Sequence, residues 1–109
     1  MKIEKFEDLE VWKESMRLAT RIYQEFKILN EYGFKDQIQR ASVSVPSNIA
    51  EGYERNSNKE FIQYLFISKG SAGELRTQLY LSIELKLIQK EKGLELLELS
   101  KKYPRCYIN

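Results

Sequence analysis

The sequence contains no histidine and only one cysteine, Cys106. Without imidazole, the serines have no histidine base for nucleophilic catalysis, and a di-metal carboxylate bundle lacks its usual Glu-x-x-His ligands. A single thiol forms neither an intramolecular disulfide nor a zinc site, so a reducing cytoplasm is the natural compartment. Cys106 is interpreted as a bystander near the end of the chain rather than as a nucleophile. These absences argue against the common hydrolytic and metal-dependent chemistries, and we expect no enzymatic activity.

Long apolar runs and phosphate-binding loops are also missing. No segment approaches the ~20 apolar residues of a membrane span, and residues 1–10 have no apolar core of the kind found in signal peptides. The motif GSAG at residues 70–73 lacks the lysine and the preceding strand of a phosphate-binding loop. We therefore predict a cytoplasmic protein with no membrane contact, metal or cofactor. The length predicts one domain over residues 1–109.

Apolar residues recur at helical spacing in the first and last segments of the chain. In the first segment they are Leu9, Trp12, Met16, Ala19, Ile22, Tyr23, Phe26 and Leu29. Asn30 and Gly33 supply the stop signals of this predicted helix. The last segment, KEKGLELLELSKKYP, predicts a short helix that Pro104 stops, and we expect it to be weakly placed against the core.

The third segment opens with a capping box formed by Ser57 and Glu60. Its apolar stripe predicts a helix as far as Leu87, and the stripe consists of Phe61, Leu65, Ser68, Ala72, Leu75, Leu79 and Ile83. Gly70 and Gly73 mark either a turn or a close approach by a neighbouring backbone, and the second is favoured because the stripe stays in phase. Apolar residues off the stripe predict packing on several sides or a subunit contact; they are Ile62, Tyr64, Phe66, Ile67 and Tyr80.

The second segment, RASVSVPSNIAEG at residues 40–52, has two interpretations. The alternation over residues 41–45 is typical of a strand that ends at Pro46. As a helix, the segment puts its apolar residues on one face, tolerates Pro46 with a kink and stops at Gly52. No other segment alternates with period two, so a strand here would have no partner for its hydrogen bonds. We therefore predict a helix.

Two blocks of the sequence resemble one protein family. QIQRASVSVPSNIAEG at residues 37–52 and GSAGELRTQL at residues 70–79 match its patterns Q-I-x-R-A-x-x-S-x-P-x-N-I-A-E-G and G-S-x-x-E-x-x-T-Q-L. This is the family of four-helix-bundle proteins encoded by intervening sequences of bacterial 23S rRNA genes, sometimes labelled ribosomal proteins. DLEVWKES at residues 8–15 resembles the family's first helix, whereas SKKYPRCYIN at residues 100–109 departs from its longer fourth helix.

The resemblance implies an all-α fold, an antiparallel up-down four-helix bundle with a proline-kinked second helix. It also implies assembly into rings, usually of five subunits. One branch of the family looks like accessory proteins of diversity-generating retroelements, in which a basic ring contacts nucleic acid, while most members have no established activity. Carried onto this chain, the resemblance implies structural or interface roles for Arg40, Pro46, Asn48, Glu51, Gly52, Gly70, Ser71, Glu74 and Gln78.

Three charged residues of the two blocks, Arg40, Glu51 and Glu74, allow two interpretations. They form either a binding site or a partly buried ion-pair network that fixes helix register and subunit contacts, and the network is favoured. Asn48 and Gln78 are expected to bond to backbone groups freed near the kink.

A basic line on the first helix consists of Lys13, Arg17 and Arg21, each one turn from the next. Five copies in a ring would give a phosphate-binding surface, but neighbouring carboxylates favour a solvated helix face. The net charge of +2 neither requires nor excludes nucleic acid. A second basic group, whose charge is also offset by neighbouring glutamates, consists of Lys90, Lys92, Lys101, Lys102 and Arg105. Three tyrosines, Tyr53, Tyr64 and Tyr80, could stack on nucleic-acid bases. Buried or interfacial positions explain these residues more simply.

The leading hypothesis from the sequence is a non-enzymatic, homo-oligomeric interaction module, with nucleic acid as the first candidate ligand and a pentamer as the favoured assembly. Phosphates would be held by lysine and arginine with little reading of base sequence. The alternatives are a scaffold that binds a protein partner such as a reverse transcriptase, and a mobile-element protein without a cellular role of its own.

Overall fold

The computed structural model describes residues 4–102, which fold into four α-helices after a short 3-10 turn at Phe6–Asp8. The helices are α1 at Glu10–Glu25, α2 at Tyr32–Tyr53, α3 at Asn58–Glu84 and α4 at Lys90–Lys101. Over this range no backbone is in a strand, so the all-α prediction is confirmed and the helices fit a four-helix bundle. The antiparallel order and the kink stay predictions. Those made for Pro104, Arg105 and Cys106 fall outside the described residues.

Pro46 lies inside α2, which confirms the helical interpretation of this segment. Proline cannot donate a backbone hydrogen bond, so the carbonyl group of Ser42, four residues earlier, loses its helical donor. Two carbonyl groups nearer to Pro46 each accept a side-chain hydrogen bond. The amide of Asn48 donates to the carbonyl oxygen of Ser44 at 2.8 Å, and the hydroxyl of Ser68 on α3 donates to that of Val45 at 2.9 Å. Asn48 thus bonds to backbone near Pro46 as predicted, but to the carbonyl of Ser44 rather than to that of Ser42, which the proline leaves without a helical donor.

All four helices contribute to the core. Its larger cluster consists of Leu18, Ile22, Phe26, Ile38, Ala41, Leu75, Leu79, Leu96 and Leu97. A second cluster consists of Val11, Val45, Ile49, Leu65 and Ala72. Four buried serines each donate to the carbonyl three residues earlier in their own helix, and these are Ser15, Ser42, Ser82 and Ser100. Their hydroxyls are thus satisfied without leaving the helix, which suits small residues at helix contacts.

The predicted stripe of α1 is only partly correct. Ile22 is fully buried as expected, but Met16 and Tyr23 are 41% and 44% exposed. Val11 and Leu18, which lie one residue earlier along the helix than the predicted positions, face the core instead. The reason is that α1 carries two adjacent apolar lines, and only one of them packs against the other helices.

The predicted stripe of α3 is confirmed, and every member is buried or partly buried. The Ser57 hydroxyl caps the helix by accepting from the backbone N–H of Glu60 at 3.2 Å. The helix runs unbroken through residues 70–73 but ends at Glu84 rather than at Leu87. It ends early because Lys86 has a left-handed backbone, with φ at 59°, and cannot continue the helix.

The close approach by a neighbouring backbone predicted at Gly70 and Gly73 is not found among residues 4–102. A Cβ on Gly70 would meet nothing there within 4 Å, and one on Gly73 would meet only Nη2 of Arg76, at 3.9 Å. Gly52 has this role instead: its Cβ would lie 2.5 Å from the Cβ of Tyr64. The prediction that Gly52 stops α2 is also wrong, since the helix continues to Tyr53 and Gly52 has no positive φ. Gly52 is therefore needed for the contact between α2 and α3.

The expectation that α4 is weakly placed is wrong. Leu96 is fully buried, and a Cβ on Gly93 would lie 2.5 Å from Cγ1 of Ile83 on α3. Arg21 on α1 donates to Glu95 on α4 at 3.0 Å. Although α4 has only 12 residues, it packs against both α1 and α3. Among the described helices, none is both long and apolar enough to cross a membrane.

Candidate functional site

The structure brings the two family-like blocks together along the seam between α2 and α3. Residues three or four positions apart share one face of a helix, and the polar residues of each block follow this spacing. Along α2 they are Gln37, Arg40, Ser44 and Asn48, and along α3 they are Ser71, Glu74 and Gln78. The hydroxyl oxygens of Ser44 and Ser71 lie 2.9 Å apart and link the two helices by a hydrogen bond.

Beside this link lies a polar cleft of about 320 Å³. It is lined by Gln37, Arg40, Ala41, Ser44, Glu74 and Gln78. The lining combines one cation, one carboxylate, two amides and a hydroxyl, so it offers hydrogen bonds rather than an apolar surface. We call it the α2–α3 cleft.

The charged residues of the blocks do not form the predicted ion-pair network. Nε of Arg40 donates to Asp36 at 2.8 Å within α2, and the two side chains are 80% and 62% exposed. Glu51, in the last turn of α2, pairs with Arg55, just beyond the end of that helix, at 3.0 Å. Among the ion pairs found within residues 4–102, none involves Glu74, which is exposed at the cleft. These pairs are solvated and contribute little to stability, while Glu74 stays available to a ligand.

Gln78 was predicted to form a hydrogen bond with backbone groups near Pro46, but the structure places it elsewhere. Its side chain lines the cleft and is 8% exposed. Its Oε1 is buried and accepts no hydrogen bond from the part of the chain that the structure describes. A buried amide oxygen without a partner costs ~1–3 kcal/mol. Gln78 is thus a polar group that the isolated chain leaves unsatisfied.

Further along the seam, Arg55 bridges Glu51 and Tyr64. Its Nη2 donates to the Tyr64 hydroxyl at 2.7 Å, and its guanidinium lies 5.1 Å from the centre of the Tyr64 ring. The phenolic oxygen of Tyr64, through its charge and its hydrogen bond, raises the pKa of Arg55 further above its ordinary value. Tyr64 is therefore held by Arg55, while Tyr53 packs edge-on against Phe61.

Each cation of the predicted basic line lies within 4 Å of a carboxylate. The pairs are Lys13 with Glu10 at 3.8 Å, Arg17 with Glu14 at 2.6 Å and Arg21 with Glu95 at 3.0 Å. Paired cations have less free charge for phosphate groups, which favours the solvated-face interpretation. A role of this line in nucleic-acid binding stays a prediction.

An apolar groove of about 630 Å³ lies between α1 and α2. It is lined by Phe6, Trp12, Met16, Ala19, Thr20, Tyr23, Gln24, Val43, Pro46, Ser47 and Ala50. Sequence reasoning missed it because the predicted stripe placed Met16 and Tyr23 in the core. The signal was the second apolar line on α1, together with Val43 on the outer side of α2. We call it the α1–α2 groove.

A second apolar surface lies on the outer face of α3, opposite its buried stripe. Its large members are Ile62, Phe66, Tyr80 and Leu81, all exposed. Gly70 and Gly73 fall on the same face between them, as the helical repeat requires. This outer face of α3 confirms that the helix carries apolar residues beyond those its own core uses.

Comparison with known proteins agrees with this architecture. The sequence model of a family described as 23S rRNA-intervening sequence protein matches residues 7–107. The fold is similar to the crystal structure of a protein of unknown function from the S23 ribosomal protein family of Bacteroides thetaiotaomicron, with a TM-score of 0.77 and 29% identity. That match covers 84% of this chain and 89% of the other. No curated protein matches the sequence.

Proposed function

The chain belongs to the 23S rRNA-intervening sequence protein family, and from its exposed surfaces we propose that it is a non-enzymatic, cytoplasmic interaction module that associates with copies of itself. The observation that carries this proposal is the α1–α2 groove. Met16, Tyr23 and Val43 present exposed apolar side chains there, beside the partly buried Trp12. Contiguous exposed apolar surfaces of this kind mark protein contacts in soluble proteins.

The occupant of the groove is proposed to be the outer face of α3 from a second copy. Phe66 and Ile62 supply the large side chains, and Gly70 leaves open space where a neighbouring backbone can approach. Because groove and outer face are different surfaces, each copy would offer one to the next. Such head-to-tail contacts close into a ring when the rotation between copies permits. The family resemblance implies rings of five, so a pentamer is the proposed assembly.

Sedimentation equilibrium of two matched variants tests this proposal. Met16→Glu places a carboxylate in the groove and is expected to give monomers, because a buried, unpaired charge opposes association. Leu94→Glu makes the same kind of change at an exposed apolar residue of α4, outside both surfaces, and is expected to leave the assembly unchanged. Equal masses for the two variants would refute the groove as the contact.

Nucleic acid is the second candidate partner, and the exposure of two cations of the basic line supports it. Lys13 and Arg17 are solvent-exposed and one turn apart, so a ring would repeat them around its surface. Their pairing with Glu10 and Glu14 weakens each site, so binding would depend on the ring. If Met16→Glu keeps its self-association but no longer binds a different protein, the groove is instead a site of a scaffold for that protein.

A further inference from the structure

We propose that the α2–α3 cleft is a binding site for a guanidinium or primary ammonium group. The cleft combines Gln78, whose buried Oε1 accepts no hydrogen bond from the described residues, with Glu74, a carboxylate outside every ion pair found there. Both groups accept hydrogen bonds, and both are left without a donor. A cation that carries N–H groups satisfies the two together.

Hydrogen bonds already made in and beside the cleft leave Oε1 of Gln78 and the carboxylate of Glu74 without a donor among the described residues. The amide nitrogen of Asn48 donates to the backbone and hydroxyl of Ser44, and that hydroxyl shares a bond with Ser71. Nε of Arg40 is occupied by Asp36. The other N–H groups of Arg40 belong to a side chain that is 80% exposed, and Oε1 of Gln78 receives none of them. A ligand with several N–H groups could therefore bond to both Gln78 and Glu74.

The balance of charge at the cleft also favours a cation. Arg40 and Asp36 form a pair 2.8 Å apart and offset each other. Glu74 then contributes the remaining charge, which is negative. A ligand cation beside Glu74 would gain a charge-assisted hydrogen bond, whereas an anion there would be repelled.

The dimensions suit a side-chain head group. The cleft volume of about 320 Å³ is at the lower end of ligand sites, too small for a nucleotide with its phosphates but large enough for one planar guanidinium. A guanidinium presents several N–H groups in one plane. One edge would meet the Glu74 carboxylate, while the amide of Gln78 turns to bring its oxygen to another.

The cation has two candidate sources: a side chain of a second copy, or a free ligand or another protein. The cleft lies on the α2–α3 seam and shares none of its lining with the α1–α2 groove. The inference thus goes beyond the proposed self-association and does not depend on it.

Titration with methylguanidinium, followed through the side-chain NH₂ signals of ¹⁵N-labelled protein, tests the site. Tetramethylammonium, which has charge but no N–H donor, serves as the matched probe at equal ionic strength. We expect saturable shifts of the Gln78 signal with methylguanidinium below about 50 mM and none with tetramethylammonium. Glu74→Gln should weaken binding at least about tenfold, and Glu84→Gln, about 15 Å further along α3 and outside the cleft lining, should leave it unchanged.

The same titration on Met16→Glu separates the two sources. Binding to this variant but not to the wild-type assembly would assign the cleft to a side chain of a second copy. Binding to both would assign it to a free ligand or another protein. Equal shifts with both probes, no saturation in either protein, or full affinity in Glu74→Gln would overturn the proposal.

Discussion

Ser44 of α2 and Ser71 of α3 share a hydrogen bond, with their hydroxyl oxygens 2.9 Å apart although the residues are 27 positions apart in sequence. Asn48 donates to the same Ser44 hydroxyl at 2.9 Å, so one short chain of polar groups joins the two family-like blocks. This bond fixes the seam beside which the cleft forms. It also explains why two separate motifs, read apart in the sequence, line one site.

Gly52 is expected to tolerate no side chain. Gly52→Ala should lower the free energy of unfolding by ~1–3 kcal/mol, because the new methyl group would overlap Tyr64 in a packed contact. Gly33→Ala is the control in the same helix: a Cβ there meets nothing within 4 Å, and its stability should stay equal or rise. Urea unfolding measures both. A Gly52→Ala protein as stable as the control would mean that α2 and α3 lie further apart.

Replacement of Lys86 by glycine is expected to stabilise the protein. It holds a left-handed backbone just after α3, where an L-residue costs ~1–2 kcal/mol and glycine does not. Lys86→Gly is therefore expected to raise the free energy of unfolding by ~1 kcal/mol. The same substitution at exposed Lys69, inside α3, should lower it by a similar amount. Thermal unfolding of the two variants gives the comparison, and a loss of stability at Lys86 would contradict the left-handed conformation.

Gln78 is predicted to lower the free energy of unfolding of the ligand-free protein, because its buried oxygen is left to contact a ligand. Gln78→Leu keeps the volume and removes the unsatisfied oxygen, so it should raise the free energy of unfolding by ~1 kcal/mol in the absence of ligand. The exposed control Gln63→Leu should change it by less than ~0.5 kcal/mol. Denaturant titration distinguishes them. Marked destabilisation by Gln78→Leu would show that its amide already has a partner.

The basic line makes a prediction for nucleic-acid binding. Retention of RNA or DNA in a filter assay should fall steeply with salt, because the contacts are to phosphates. Charge reversal at Lys13, Arg17 and Arg21 should abolish retention, while Lys59→Glu on α3 should preserve most of it. If RNA and DNA are not retained at low salt, or if their retention does not depend on salt, this surface does not bind nucleic acid.

Much of the fold follows from local patterns. The stripe of α3 and its Ser57 cap were predictable because helical spacing and capping chemistry act within a few residues of one another. The helical interpretation around Pro46 needed only the lack of a second strand. The end of α3 was not predictable, since no residue type near Lys86 signals a left-handed backbone.

The site was less predictable because it depends on contacts between helices. Both apolar lines of α1 have helical spacing, and only packing decides that Leu18 faces inward while Met16 does not. Likewise, nothing in the sequence distinguishes Gly52, which meets Tyr64, from Gly70, which meets open space. The two blocks suggested an ion-pair network, yet Arg40 and Glu51 each pair with a residue four positions away in sequence. Gln78 and Glu74 line the cleft instead.

Light scattering of the unmodified chain tests self-association most directly. Self-association predicts a single species whose mass is a multiple of the 12.9 kDa chain, five times that mass for the proposed ring. We expect this species to persist on dilution through the micromolar range. A mass of 12.9 kDa at every concentration would rule out self-association, because the groove and the outer face of α3 would then remain uncovered in solution.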